Sequence, residues 1–160
     1  MSMEIIVKNP EDCSDAELES FESLVAEGGE VSLVGLRERI RRAEKLVFIN
    51  PAKPVAVGAI KNPNSGYKAG VFKKSGVSGE RKYQYELGWL YVSKTARGNG
   101  YGRALMDSII TALADHTCFA TTREDNDSMH YLFSQFGFSK LGQPYRSGNG
   151  EYSLVLYAMS

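Results

Sequence analysis

A chain of 160 residues with 42% apolar composition is the size of one domain, enough to bury about 68–70% of the surface its unfolded form would expose. With 24% charged and 11% aromatic residues, and no long Pro, Gly or Ser tract, it is neither a fibre nor an extended disordered chain. No apolar run approaches the ~18–20 residues that span a bilayer, and the opening Met1-Ser2-Met3-Glu4-Ile5 lacks the regions of a signal peptide. A single cytoplasmic domain over residues 1–160, with no membrane partner, is expected. The two cysteines, Cys13 and Cys118, have no CxxC spacing and no histidine-rich partner, which signals neither a disulfide framework nor a metal site.

The net charge is zero, but it is unevenly built. Residues 1–30 carry nine acids and one base, 31–103 fifteen bases and four acids, and 104–160 three bases and six acids, a run of −8, +11 and −3. A basic middle suits an anionic ligand, and it equally suits solvated faces of mixed sign.

In chain order, Glu4 to Lys8 is a short β-prone run closed by Asn9-Pro10. Ser14 with Glu17 makes a capping box, and Leu18, Phe21, Leu24 and Val25 recur at helical spacing up to Gly28-Gly29. Leu33, Leu36 and Ile40 set a second apolar stripe, which predicts a helix over 32–45 with a basic outer face. Leu46–Ile49 and Val55–Ile60 read as a hairpin across a Pro-rich turn. Lys61 to Lys82, with five Gly or Pro and six Lys or Arg, reads as a long loop, partly extended or a functional flap.

Tyr83 to Val92 is a strong strand. Leu105, Ile109 and Leu113 then predict a helix after the glycine cluster, ending near Asp115-His116. Cys118–Thr122 is a strand, Asp127–Phe136 a short helix stopped by Gly137, and Tyr152–Met159 a last strand. Strands flanking helices in both halves give an α/β class with a mixed sheet.

The informative stretch is Tyr85-Glu86-Leu87-Gly88-Trp89-Leu90-Tyr91-Val92, leading to Arg97-Gly98-Asn99-Gly100-Tyr101-Gly102-Arg103 and a helix. Strand, glycine loop and helix make a phosphate site, because glycines admit a close backbone approach and helix N-terminal amides point at the anion. A dinucleotide fingerprint fails, since the third glycine position is Arg103 or Leu105, and the Gly-Lys-Ser/Thr of a P-loop is missing.

Arg97, Gly100 and Gly102 do fit Arg-x-x-Gly-x-Gly, and Asn126 to Phe138 reads as a short helix opened by Asn and closed by Gly-Phe. In these residues the chain resembles the GNAT superfamily of acyl-CoA-dependent N-acyltransferases. The resemblance runs from about residue 4 to residue 159 and is densest between 86 and 138. It implies a GNAT-type mixed, mostly antiparallel twisted sheet, splayed at the centre and flanked by about four helices. It also implies acetyl-CoA as co-substrate, with no metal, and transfer of the acetyl group to a primary amine.

By the same resemblance, the amides of Arg97, Gly98, Asn99, Gly100, Tyr101, Gly102 and Arg103 clasp the pyrophosphate of coenzyme A. A bulge in the motif strand turns the backbone of Leu90, Tyr91 and Val92 toward pantetheine and the acetyl oxygen, and Asn126 lies beside the cofactor, unless it is only a helix cap. Glu86, eleven residues before Arg97, stands where some members carry their general base; its alternative is a strand-end glutamate facing solvent. Many members have a tyrosine four residues before the Gly of Gly-Phe as acid for the leaving thiolate. Here that position is Phe133, which has no proton to give. His130 and Tyr131 are substitutes only with an unusual helix placement, and otherwise surface or packing residues.

Phe133 keeps a second reading in view, a CoA-binding regulatory module without turnover. A third is an acyltransferase acting on aminoacyl-tRNA or another nucleic-acid-linked amine, and it ranks last because no RNA-binding aromatic motif is present. The acceptor is therefore expected to be a small-molecule or peptide amine, with nucleic acid disfavoured. A homodimer is compatible with the reading.

Overall fold

The computed structural model describes residues 3–29 and 31–159. Met1 and Ser2, part of the segment read for an export signal, Glu30 of the acidic block and Ser160 lie outside the described residues. The elements in chain order are β1 (Ile5–Lys8), α1 (Asp15–Gly28), α2 (Leu36–Arg41), β2 (Lys45–Ile49), β3 (Ala56–Lys61), α3 (Ser65–Ser75) and β4 (Tyr85–Val92). They continue with α4 (Tyr101–Leu113), β5 (Cys118–Arg123), α5 (Asp127–Gln135), β6 (Ser139–Arg146) and β7 (Ser153–Met159). The strands run in the hydrogen-bonded order β1-β2-β3-β4-β5-β7-β6. Pairing is antiparallel at β1–β2, β2–β3, β5–β7 and β6–β7 and parallel at β4–β5. This is the mixed, mostly antiparallel α/β class that the sequence implied.

The chain forms two compact units, Met1–Lys61 with Leu87–Ala114, and Asn62–Glu86 with Asp115–Ser160. In the first unit α1 starts as expected: Ser14 accepts from the Glu17 amide while Glu17 accepts from the Ser14 amide, which satisfies two of the donors a helix start leaves open. Its face Leu18, Phe21 and Val25 packs with Leu36 and Ile40 of α2 and Leu46, Phe48, Val57, Ala59 and Trp89 of the strands. Phe21 meets Phe48 and Trp89 edge-on at 5.5 and 6.1 Å, the geometry aromatic quadrupoles favour. The helix expected over 32–45 is only Leu36–Arg41, because Gly35 at φ 69 begins it and Leu33 is 65% exposed instead of extending the stripe.

In the second unit β5 pairs with β7 along its whole length, from Cys118–Met159 to Arg123–Leu154. The expected loop between Lys61 and Lys82 is instead largely helical. Asn64 caps α3 by accepting from the amides of Gly66 and Tyr67, and Gly76, at φ 74, ends it. Val71 and Phe72 anchor this helix on Phe119, Leu156 and Ala158, and with it the described residues form five α-helices, in line with the about four expected. β6 was missed by sequence because it contains Gly142 and Pro144 and is mostly exposed. Its place at the end of the strand order explains this, since proline is tolerated on an edge. The helix expected to run to Asp115-His116 ends at Leu113, with Ala114 at φ 49 as its cap.

Candidate active site

In the first unit the feature of interest is the stretch from β4 to α4. Trp89 sits at φ 51 in the middle of β4, a left-handed backbone that costs an L-residue about 1–2 kcal/mol. The indole is 8% exposed, packed against Phe21 and covered by the Lys61 ammonium 4.4 Å above the ring. This packing holds the strained residue in place. The result is an irregularity immediately before Leu90, Tyr91 and Val92. Leu90 reaches toward Gly58, where a methyl group would meet its Cδ1 at 2.9 Å. The Tyr91 hydroxyl donates to Glu27 Oε2 at 2.6 Å, and burial followed by that carboxylate raises its pKa. The Tyr91 side chain is thus tied to α1, and only its backbone faces the role expected of it.

Arg97 donates from Nε to the Val92 carbonyl at 3.2 Å and places its guanidinium 5.7 Å from the Tyr91 ring. Asn99 donates to the Ala96 carbonyl at 2.8 Å. These bonds brace an exposed loop from Arg97 to Gly100. Gly98 and Gly100 lie at φ 84 and 77, and an added Cβ would meet nothing within 4 Å at either. The space beside both glycines is open, and their left-handed backbone is one that side chains resist.

Gly100 is the N-cap of α4 and supplies no side-chain cap. The first helical bond runs from the Ala104 amide to the Gly100 carbonyl, so the amides of Tyr101 and Gly102 have no acceptor within the helix. Lys94, Arg97 and Arg103 are the charged residues of 93–103, with no acid among them. Open glycines, a helix start without a side-chain cap and three cations suit the pyrophosphate of coenzyme A.

In the second unit β4 begins with Tyr85 and Glu86, paired in register with Cys118 and Phe119 of β5. Glu86 is 3% exposed, so it does not face solvent as its alternative reading had it. Its Oε2 accepts a hydrogen bond from the Tyr67 hydroxyl at 2.8 Å. Tyr67 stands in the first turn of α3, the helix that sequence reading missed. Its pKa is driven well above the ordinary phenol value by burial of the hydroxyl and then by the Glu86 carboxylate. Tyr145 of β6 and Cys118 are each pushed up to about 12, in both cases by burial first and Glu86 second. A buried carboxylate ringed by weakly acidic groups can accept a proton. No local sequence signal links Tyr67 to Glu86, since they are 19 residues apart and meet only through α3.

Asn126 caps α5, its side chain accepting from the Met129 amide at 3.2 Å. Phe133 is 1% exposed and stacks among Phe138 and Tyr157, at 5.0 and 4.8 Å, so the position expected for a tyrosine is apolar core. Tyr131 is 62% exposed. His130 lies 2.8 Å from the Glu124 carbonyl through Nε2 and 2.6 Å from the Tyr157 hydroxyl through Nδ1. In the neutral form of the ring these partners place the proton on Nε2, because a carbonyl only accepts, and let Nδ1 accept from the Tyr157 hydroxyl. Thus Leu90–Val92 and Arg97–Arg103 belong to one unit and Glu86 and Asn126 to the other. Among the described residues no cluster of three or more His, Cys, Asp or Glu is placed to hold a metal ion, and no helix is long and apolar enough to cross a membrane.

Comparison with known proteins bears on this arrangement. A family model described as acetyltransferase (GNAT) family matches residues 13–138. No curated protein sequence matches the chain. Among solved structures the chain is similar to an acyl-CoA N-acyltransferase from Pseudomonas aeruginosa, at 14% identity and TM-score 0.72, over 99% of this chain and 100% of that one. It is similar to Escherichia coli ElaA at 15% identity and TM-score 0.70, over 99% and 100% of the two chains. The NatC complex bound to Gag peptide and CoA shares 15% identity at TM-score 0.65, over 98% of each chain. At such identities the likeness is one of fold.

Proposed function

The chain belongs to the acetyltransferase (GNAT) family, whose members use acetyl-CoA, and from that premise we propose that it acetylates a primary amine by direct attack in a ternary complex. The reading takes residues 1–160 as one catalytic domain working in the cytoplasm. Acetyl-CoA supplies an acetyl group activated as a thioester. The amides of Arg97, Gly98, Asn99, Gly100, Tyr101, Gly102 and Arg103 hold its pyrophosphate, and the backbone of Leu90, Tyr91 and Val92 orients pantetheine and the acetyl oxygen. Asn126 contributes its amide to the same cofactor in addition to capping α5. Donors fixed before the reaction lower its barrier because nothing has to reorganise as charge develops.

The observation that carries the mechanism is Glu86, a carboxylate 3% exposed on the strand that leads into the cofactor loop. It is the proton acceptor for the attacking amine. The acceptor is a small-molecule or peptide amine. The peptide arm is supported by the fold shared with the NatC complex, which holds a Gag peptide, and with the ribosomal-protein-S18-alanine N-acetyltransferase from Escherichia coli.

One observation favours a second reading, binding of CoA without turnover: Phe133 offers no proton to a leaving thiolate and is sealed in core. Release of free thiol from acetyl-CoA, followed across polyamines, aminoglycosides, amino acids, peptides with free N-termini and aminoacyl-tRNA, separates the two. Turnover with an amine supports the first reading. Tight calorimetric binding of acetyl-CoA with no amine-dependent release supports the second.

A further inference from the structure

Glu86 is 3% exposed, and a base so enclosed takes a proton from an arriving amine only through a group that touches it. Tyr67 is one such group. Its hydroxyl is buried and donates to Glu86 Oε2 at 2.8 Å, while the residue as a whole is 45% exposed. Its position is fixed from several sides. Asn64 caps the turn that carries it, accepting from the Tyr67 amide at 3.3 Å, and Lys68 beside it is fastened to the Tyr83 carbonyl at 2.9 Å.

We infer that Tyr67 is a proton relay, with its hydroxyl receiving the proton of the acceptor amine as its own proton passes to Glu86. This rests on the proposed role of Glu86 as base. The balance is simple: the amine N–H bond breaks as a bond to Tyr67 Oη forms, and the Tyr67 O–H bond breaks as one to Glu86 Oε2 forms. The electron pair freed on nitrogen forms the N–C bond to the acetyl carbon; the C–S bond of the thioester then breaks with its electron pair on sulfur, and the leaving thiolate of coenzyme A takes up the remaining proton that the nitrogen loses, directly or through water. After the product leaves, the proton returns from Glu86 through the same oxygen to solvent.

The two transfers occur together, because a free phenolate next to the carboxylate is strongly disfavoured; burial and Glu86 both hold the Tyr67 proton on. The other titratable groups whose protons respond to Glu86 are Tyr145 from β6 and Cys118 from β5. Cys118 is buried and Tyr145 is half-buried, whereas Tyr67 is the exposed residue of the three.

The test uses the whole protein, saturating acetyl-CoA and the amine with the highest kcat/KM in the thiol-release screen. In mixtures of H2O and D2O the unaltered protein should give a bowed dependence of kcat on deuterium fraction, as two moving protons require. Tyr67→Phe, which keeps the ring and its packing, should lower kcat about 10²-fold, leave KM for acetyl-CoA unchanged and leave at most one proton in flight. Glu86→Gln is the control. If Glu86→Gln keeps full turnover, or no amine is acetylated at all, the base itself falls and the relay with it. If Glu86→Gln is impaired while Tyr67→Phe turns over normally, or the unaltered protein gives a straight line, the relay alone is overturned.

Discussion

At the scale of single residues, two positions decide the reading. Glu86→Gln keeps size and hydrogen bonding but accepts no proton, so kcat should fall about 10²–10⁴-fold with little change in acetyl-CoA affinity. A pH–rate profile of the unaltered protein should lose its acidic limb in the variant; full turnover from pH 6 to 9 would return Glu86 to a structural role. Gly100 tests the other half. At φ 77 with open space around its missing Cβ, Gly100→Val suffers backbone strain of about 1–2 kcal/mol and thrusts a branched side chain into the space proposed for the pyrophosphate. Calorimetry should show most of the acetyl-CoA affinity gone, and unchanged binding would remove the cofactor site from this loop. The place of Glu86 on its strand was legible in the sequence because the strand is a local fact, whereas its role as base is what the family resemblance implies. Tyr67 was not legible, because its role depends on a fold-back over 19 residues that no periodicity announces.

At the scale of elements, caps carried more of the sequence signal than composition did. Ser14 with Glu17 located α1 correctly, while α3 was hidden by its glycines and lysines even though Asn64 and Gly76 bracket it as caps. β6 carries Gly142 and Pro144 and little apolar surface, which is the price of an edge that discourages further pairing. Two predictions belong here. Asn126→Ala removes the cap of α5 and should cost about 0.5–2 kcal/mol of stability, read by denaturant unfolding. A raised KM for acetyl-CoA in the same variant would show the additional cofactor role, and an unchanged one would confine Asn126 to capping.

The second prediction concerns Glu17, which joins α1 to Lys8 of β1 at 2.9 Å and has its pKa lowered by the Lys8 hydrogen bond and then by the Ser14 amide. A lowered carboxyl pKa gives stability that is present above the unfolded value, about 4.3, and lost as pH falls through the folded value. Lys8, raised chiefly by the same bond, gives stability that is present below the unfolded lysine value and lost as pH rises through the folded one. Between pH 6 and 3 the Tm of Glu17→Gln should therefore fall less than that of the unaltered protein, as calorimetry would show. Equal falls would mean that the pair contributes nothing to acid sensitivity.

At the scale of the molecule, the chain visits each compact unit twice, with residues 62–86 interrupting the first. This interleaving is invisible to a reading that moves along the sequence. The class was legible because strands and helices alternate, and the β2–β3 hairpin because a Pro-rich turn joins two apolar runs; the pairing of β6 with β7 was not. The stability of the parts is uneven, and α3 is where that matters. It contains Gly66 and Gly70, and each interior glycine costs about 0.8–1.0 kcal/mol relative to alanine. By contrast α4 buries Leu105, Met106, Ile109 and Leu113. Native-state hydrogen exchange should therefore find the amides of α3 released by partial opening well before those of α4; equal protection would refute the ranking. A methyl group at Gly70 would meet nothing within 4 Å, so Gly70→Ala should stiffen this helix at no steric cost. The roof over Glu86 is thus held by less than its surroundings would permit, and tightening it with one methyl group would reveal whether turnover depends on that looseness.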